Sequence, residues 1–417
     1  MTTLGQAQNS SKIEKFLIYP HEGKSKEMRQ SIVLADYYES ILENHIHLTL
    51  VLADIEGSFQ ELKLVGSEKV EIIFEDNFGN KLKFTELYIS KIRNVFSHTS
   101  NTIFTLDLAP KEAFVNENTL IYDGYTGRLS ESIKKILISK LKTSKKIDID
   151  ETENAPNFNG DGKKPFRLCT ELSKKCIPVG EKKSAGYFFF ETYNGYNIKS
   201  IDKLFDTSRK YRSYIYNLTT GLPKGYDGKI LEYHADKTID VKQRLMMGAY
   251  GSKLQTFDPY ADKFDSTKTL KNDEQKVLGG KEIPKLNSVF SPESRVFYKK
   301  LDVGVMPNGK TSDDQLKSQT KENYKASDLI MQSPMRYNQI FTLMVTITIA
   351  GDSSHRAGDL IYCDFPEQNN ANPQIDKEIS GLYLISDICY HVTPQATYTK
   401  MNLIRDSYGR TATSPSL

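Results

Sequence analysis

Histidine, cysteine and paired carboxylates are the residues from which catalysis or metal binding would be built, and their spacing in this chain supports neither. The four cysteines, Cys169, Cys176, Cys363 and Cys389, form no CxxC pair and do not cluster with histidine, so neither a zinc site nor a redox pair is predicted. They read as buried free thiols. His45 and His47 stand two apart on one strand face, where they would share a metal if a third ligand followed at recognisable spacing, and none does. His355 and His391 flank strands late in the chain, without a G-x-S-x-G elbow or a Cys–His signature to place a nucleophile beside them. Gly160-Asp161-Gly162-Lys163-Lys164 matches a phosphate-cradling loop only in its glycine-lysine step, because the earlier glycine position is Asn157 and Lys164 stands where Ser or Thr is needed. Asp148-Ile149-Asp150 would open a calcium loop, but Glu153 occupies the sharp-turn glycine position and Asn159 the bidentate glutamate position. Two carboxylates set for glycoside hydrolysis leave no trace in a single sequence, so that class stays open on motif grounds. No catalytic residue, metal ligand or cofactor is predicted, and the chain reads as a non-enzyme.

The 417 residues, at roughly 100 to 200 per domain, allow two to four domains with cores of their own. A hydrophobic share of 38%, with 20 Phe and 24 Tyr, excludes wholesale disorder. Lys plus Arg number 56 against 53 Asp plus Glu, and the net charge of +3 is too balanced for a generic phosphate-backbone binder. Lysine pairs at Lys134-Lys135, Lys145-Lys146, Lys163-Lys164 and Lys182-Lys183 are interrupted by acids and lack interleaved aromatics, which predicts solvated faces. The N-terminal stretch lacks the apolar core of a signal peptide, and no run approaches the ~20 apolar residues of a membrane span. Synthesis in a cytosol without membrane insertion is therefore expected.

Ile46, Leu48, Leu50 and Leu52 alternate with His45, His47, Thr49 and Val51, the pattern of a half-buried strand. Similar runs cover 70–74, 84–92 and 102–108, with a turn signal at Asn77-Phe78-Gly79-Asn80. Helical spacing follows at Ile133, Ile136, Leu137 and Leu141 after Ser130 as N-cap. Residues 145–164 read as a loop, and Pro165 opens a second helix with Leu168, Cys169, Leu172 and Cys176 on one face. Asn194-Gly195 between two aromatic and apolar runs predicts a hairpin.

The C-terminal part returns to β in the order of the N-terminal part. Residues 47–54 have a counterpart in 343–352, and Tyr88-Ile89-Ser90-Lys91-Ile92 is mirrored by Leu384-Ile385-Ser386-Asp387-Ile388. Fourteen residues separate Ile92 from Leu106 and thirteen separate Ile388 from Met401. An internal duplication is inferred. The predicted fold class is mainly β with α+β insertions, built on two duplicated antiparallel β-barrel modules plus smaller mixed domains. The expected organisation is an N-terminal polar arm (1–27), a first β module (28–115), an α+β domain (116–209), a second, discontinuous module (210–262 with 336–408), a polar insertion (263–335) and a tail (409–417).

Tyr37-Tyr38-Glu39-Ser40-Ile41-Leu42, Leu52-Ala53-Asp54 and the run Leu62-Lys63-Leu64-Val65-Gly66 continuing to Phe74 resemble the opening of the central baseplate hub proteins of T-even-like contractile-tailed phages. Lys164-Pro165-Phe166, Gly186-Tyr187-Phe188-Phe189-Phe190-Glu191 and Ser200-Ile201-Asp202-Lys203-Leu204-Phe205 are similar to that family's second region. Gly381-Leu382-Tyr383-Leu384-Ile385 and Leu403-Ile404-Arg405-Asp406-Ser407 resemble a closing hairpin shared with hub regions of contractile injection system spikes. The resemblance spans most of 30–260 and 335–410.

It implies tail-tube-like modules and a homotrimeric ring that adapts a six-fold tail tube to a three-fold central spike. Implied partners are tail-tube or tube-initiator proteins on one side and a spike on the other, with baseplate wedge proteins around the ring and DNA passing the lumen without specific binding. The implied location is the virion. Because the chain stops at Leu417 without an OB-fold or β-helical needle, the spike is expected to be a separate polypeptide. A virion-associated cell-wall hydrolase and a glycan- or receptor-binding tail module remain alternatives, the latter weakened by the absence of Trp. Candidate subunit-interface positions are the outward strand residues His45, His47, Thr49 and Val51, with Thr342, Met344, Thr346 and Thr348 in the second copy.

Overall fold

The computed structural model of the protein describes residues 12–54, 57, 61–76, 78–97, 102–180, 184–216, 228–236, 239–258, 262–264, 268–272, 275–300, 326–367 and 374–410. Asn77 of the turn signal, Lys182-Lys183, and parts of the arm, the polar insertion and the tail lie outside them.

Strands β1 (Lys12–Tyr19), β2 (Lys26–Glu27), β3 (Ile32–Ser40), β4 (His47–Asp54), β5 (Lys69–Glu75), β6 (Lys81–Ser97) and β7 (Thr102–Pro110) form the first module, in the spatial order β3-β4-β7-β6-β5-β1-β2. The apolar alternation sets the inner face: Leu48, Leu50, Leu52, Val70, Ile72, Leu106 and Leu108 are all essentially buried. Each such side chain contributes about 1.5–3 kcal/mol by leaving water.

The expected polar arm instead supplies β1, which pairs with β5 and buries Phe16 and Ile18 completely. A register shift between Ile13 and Lys15 breaks the period of two, so the alternation is invisible in Lys12-Ile13-Glu14-Lys15.

After β7 come α1 (Lys111–Asn118), β8 (Gly124–Tyr125), α2 (Leu129–Ser139), β9 (Ile147–Ile149), β10 (Phe158–Asn159), α3 (Pro165–Ser173), β11 (Tyr187–Thr192), β12 (Gly195–Ser200) and α4 (Ile201–Leu204). Helix α2 begins two residues earlier than its sequence suggests, with Arg128 rather than Ser130 at the N-cap position. Ser130 lies inside the first turn, where its hydroxyl and backbone bond to Thr152 rather than capping the helix. The stretch expected as a loop carries β9, which runs parallel to β12.

The hairpin forms with Tyr193 and Asn194 as its turn, and Gly195, at φ +122°, opens the second strand. No side chain fits at Gly195, because a Cβ would collide with the Lys146 carbonyl. All six residues of β11 are buried. Tyr187 and Phe189 enter the core of the α+β unit, while Phe188 and Phe190 enter a second core shared with Ile41, Leu360, Leu382 and Leu384.

The chain continues through β13 (Arg212–Ile215), β14 (Ile230–Asp236), α5 (Val241–Met247), β15 (Gly251–Asp258), β16 (Lys263–Phe264), β17 (Lys268–Lys271), β18 (Arg295–Lys300) and α6 (Ala326–Gln339). It ends in β19 (Leu343–Ala350), β20 (Leu360–Asp364), β21 (Gly381–Val392) and β22 (Thr397–Arg405). Strand β15, expected within the second module, joins β16, β17 and β18 in a separate four-stranded sheet. Its Leu254 packs with Leu270 against Met331 and Met335 of α6. Among the described residues of that stretch, β13 and β14 enter the second module.

The second module repeats the first. Its order β14-β19-β22-β21-β20 matches β3-β4-β7-β6-β5 strand for strand. The irregularities match as well. Both first pairs shift register near their start, between Ile32 and Leu34 and between Ile230 and Glu232. Both long strands bulge at a serine, Ser90 and Ser386, whose hydroxyls donate to the carbonyls of Asp107 (2.8 Å) and Asn402 (3.1 Å). Thr49 donates to Asp107 (3.0 Å) as Thr346 does to Asn402 (2.9 Å).

The sixth strands differ. β1 lies antiparallel to β5, whereas β13 runs parallel to β20 and closes the second module through an Ile215–Lys229 bridge. Leu106 and Met401 occupy equivalent, fully buried places. Leu106→Ala and Met401→Ala should each lower stability by about 2–5 kcal/mol. Lys400→Ala on the outer face should change it by about 0.5 kcal/mol or less, all read from chemical denaturation midpoints.

Candidate functional site at the junction of the two modules

The modules join edge to edge. Residues 35–40 of β3 pair antiparallel with residues 387–392 of β21, merging both into one 13-stranded sheet. Ser40 donates to Asp387 (2.5 Å), and His391 Nδ1 lies 2.7 Å from Asp36 on the outer face. On the inner face the rings of Tyr37 and Tyr390 stack at 5.7 Å, so one apolar core runs across the seam.

Behind the seam sits Glu39, 2% exposed. Its carboxylate accepts from Tyr37 Oη (2.8 Å), Tyr193 N (2.8 Å) and Ala357 N (2.9 Å), with Arg356 Nε at 3.8 Å. One side chain thus ties β3, the β11–β12 turn and the loop before β20. Burial raises its pKa, opposed by Arg356 and the two backbone donors.

A second clamp holds the α+β unit to the first module. Lys145 Nζ donates to Glu191 (2.6 Å) and Glu112 (2.8 Å), and Glu191 also accepts from Ile46 N (3.2 Å). Burial pushes Glu191 up to about 7 despite the adjacent Lys145. Burial also disfavours ionised Glu112, but Lys145 and the Thr143 hydroxyl outweigh it and hold that carboxyl below its usual range. These groups border a cleft of about 340 Å³ lined also by Lys83, Glu86 and Tyr193. Both carboxylates are already engaged by one ammonium, an arrangement that fastens two units together.

The predicted interface positions separate into three situations. His47, Thr49 and Val51 lie half-exposed on the outer face of β4, and Met344, Thr346 and Thr348 occupy the corresponding face of β19. The ladders make His47 equivalent to Met344, Thr49 to Thr346 and Val51 to Thr348. His45 precedes the strand and stacks its ring on Phe166, 6.0 Å away, where burial lowers its pKa. Thr342 departs from the expectation of an outward residue: it is buried in the turn after α6, its carbonyl accepting from Arg244.

His47 pairs with Glu43 (2.5 Å), and among the described residues no group of three or more His, Cys, Asp or Glu is placed to hold a metal. His355 is buried against Tyr214 Oη (2.6 Å) and pushed down to about 4 by that burial. Cys169, Cys176 and Cys363 are buried, and burial raises all four thiols, Cys389 to about 12. None is poised as a thiolate nucleophile. Glu39, Glu191, Lys145 and Arg356 carry the junction: Glu39 and Glu191 stand within stretches that resemble hub proteins but nothing local marks this role, and Lys145, expected on a solvated face, is instead drawn onto two carboxylates.

No protein-family model and no curated protein matches this sequence. Solved structures do match. The tail protein from Neisseria meningitidis MC58 superposes with TM-score 0.53 at 10% identity, covering 95% of this chain and 97% of that one. The 43 kDa tail protein of prophage MuSo2 from Shewanella oneidensis gives 0.51 at 11% identity, covering 94% and 98%. The chain shares the fold of these two tail proteins over nearly its whole length. Among the described residues no helix is long and apolar enough to cross a membrane.

Glu39→Ala leaves two backbone N–H groups without their acceptor and Arg356 without its counter-charge. The expected loss is about 3–5 kcal/mol, with a smaller loss for Glu39→Gln, measured by denaturant unfolding. Glu191 holds its proton more tightly in the folded chain than in the unfolded one between pH 4.5 and 7. Its contribution is therefore present at the acid end and is lost as pH rises toward 7. Glu191→Gln should flatten the decline in denaturation midpoint across that window relative to wild type.

Proposed function

We propose that the chain is a structural hub of a contractile phage tail baseplate. In this reading three copies close into a ring that presents six β modules to a hexameric tail tube on one face and a separate three-fold spike on the other. The duplication carries the proposal: two modules equivalent in strand order, register shifts and side-chain hydrogen bonds give a three-fold assembly six quasi-equivalent surfaces. The equivalent outer faces of β4 and β19 are proposed as contact surfaces, through His47, Thr49, Val51, Met344, Thr346 and Thr348, with His45 at their margin. The near-zero net charge suits a lumen that lets DNA pass without retaining it.

Light scattering on the full-length protein above micromolar concentration should return three chain masses alone, and three chain masses plus that of the spike when the spike partner is added. A monomer under both conditions overturns the ring. A clearing zone in a peptidoglycan zymogram would move the assignment to a cell-wall hydrolase.

A further inference from the structure

The separate sheet of β15, β16, β17 and β18 is finished on one side only. Residues 251–254 and 257–258 of β15 pair with β17 and β16, while residues 252–257 pair with β18, which places β18 on the opposite edge. β18 runs parallel to β15, and its second edge has no ladder partner among the described residues. Arg295 to Lys300 thus present a row of backbone donors and acceptors outward.

The two faces of this sheet differ as well. Leu254, Leu270 and Phe297 pack on Met331 and Met335 of α6. On the other face the register sets Lys253 beside Val296, Gln255 beside Tyr298 and Phe257 beside Lys300. Tyr298 is 69% exposed, and Phe264, whose ring lies 5.3 Å from that of Phe257, is 57% exposed. Large apolar side chains held this far into water beside an open strand edge mark a surface that a partner covers.

Charge decides which partner. The four strands carry seven Lys or Arg against one Asp, whereas the whole chain is close to balance. Glu293 offsets part of this excess by pairing with Lys253 (3.3 Å) and Lys271 (4.0 Å). A second copy would set one basic β18 against another, and like charges directly opposite are destabilising. A nucleic acid would answer the charge but has no amide row to pair with the strand edge, which an extended peptide does. We propose that β18 takes up an extended acidic segment of another protein as a fifth strand of this sheet. The segment's apolar centre lies along Val296 and Tyr298, and its carboxylates lie toward Arg295 and Lys300 at the two ends of β18. The surface belongs to neither module, so the proposal stands whether or not three chains form a ring.

The probe is a fluorescein-labelled peptide of alternating valine and tyrosine flanked by glutamates, titrated with the full-length protein and followed by anisotropy. Saturable binding is expected, weakening as salt is added. Tyr298→Ala and Lys300→Glu should each weaken it about three- to ten-fold, with denaturation midpoints at the wild-type value because both side chains lie on the face away from α6. The same peptide N-methylated at every amide should not bind, since it cannot pair with the edge. The proposal is overturned if the acidic peptide does not bind, if the N-methylated peptide or one with lysine in place of glutamate binds equally well, or if oligothymidylate binds more tightly than the acidic peptide.

Discussion

The backbone ladder between residues 35–40 and 387–392 is the constraint on which the rest of this molecule depends. It turns two β modules into one sheet, and the direction of every side chain near the seam follows from its register. Because successive residues point to opposite faces, Tyr37 and Tyr390 must meet inside while Asp36 and His391 meet outside. A slip by one residue would exchange them, placing an aspartate in the core.

Glu39 is the consequence that costs most. A carboxylate at this depth is strongly disfavoured unless hydrogen bonds replace its water. Here the replacements come from Tyr37 on its own strand, Tyr193 in the α+β unit and Ala357 in the second module, with Arg356 beside them. The group is satisfied only when all three units are in place, so it specifies their mutual arrangement more than it adds stability. The Lys145 clamp follows the same logic one layer out, Glu191 of β11 also holding Ile46, the residue just before β4.

Most strands were legible because one face of each is buried, and burial imposes a period of two that survives in residues such as Leu48, Leu50 and Leu52. The duplication was legible for the same reason, down to the serine at each bulge. The register shift at Ile13 hides strand β1, and β15 joins a different sheet from the one its place in the chain suggests, because alternation says that a strand exists but not which neighbour it takes. The junction was hardly legible at all. Glu39 lies 154 residues from Tyr193 and 318 from Ala357, and no local pattern encodes contacts at that separation. Thr342 continues the alternation of β19 one residue before the strand begins, where the turn after α6 buries it instead.

The 347-residue separation between Ser40 and Asp387 also sets a timetable for biosynthesis. At ~5–20 residues per second, β3 leaves the ribosome roughly 20 to 70 s before the strand that covers its edge exists. During that interval the first module can assemble only with β3 as a terminal strand, its half of the Tyr37–Tyr390 stack missing and Glu39 without Ala357 or Arg356. Nascent chains on one polysome would present this same bare edge to one another, a geometry that favours exchange of β21 between neighbours. The slow, long-range step is therefore the point at which chaperone occupancy of the N-terminal half would have its largest effect on the yield of correctly paired chains.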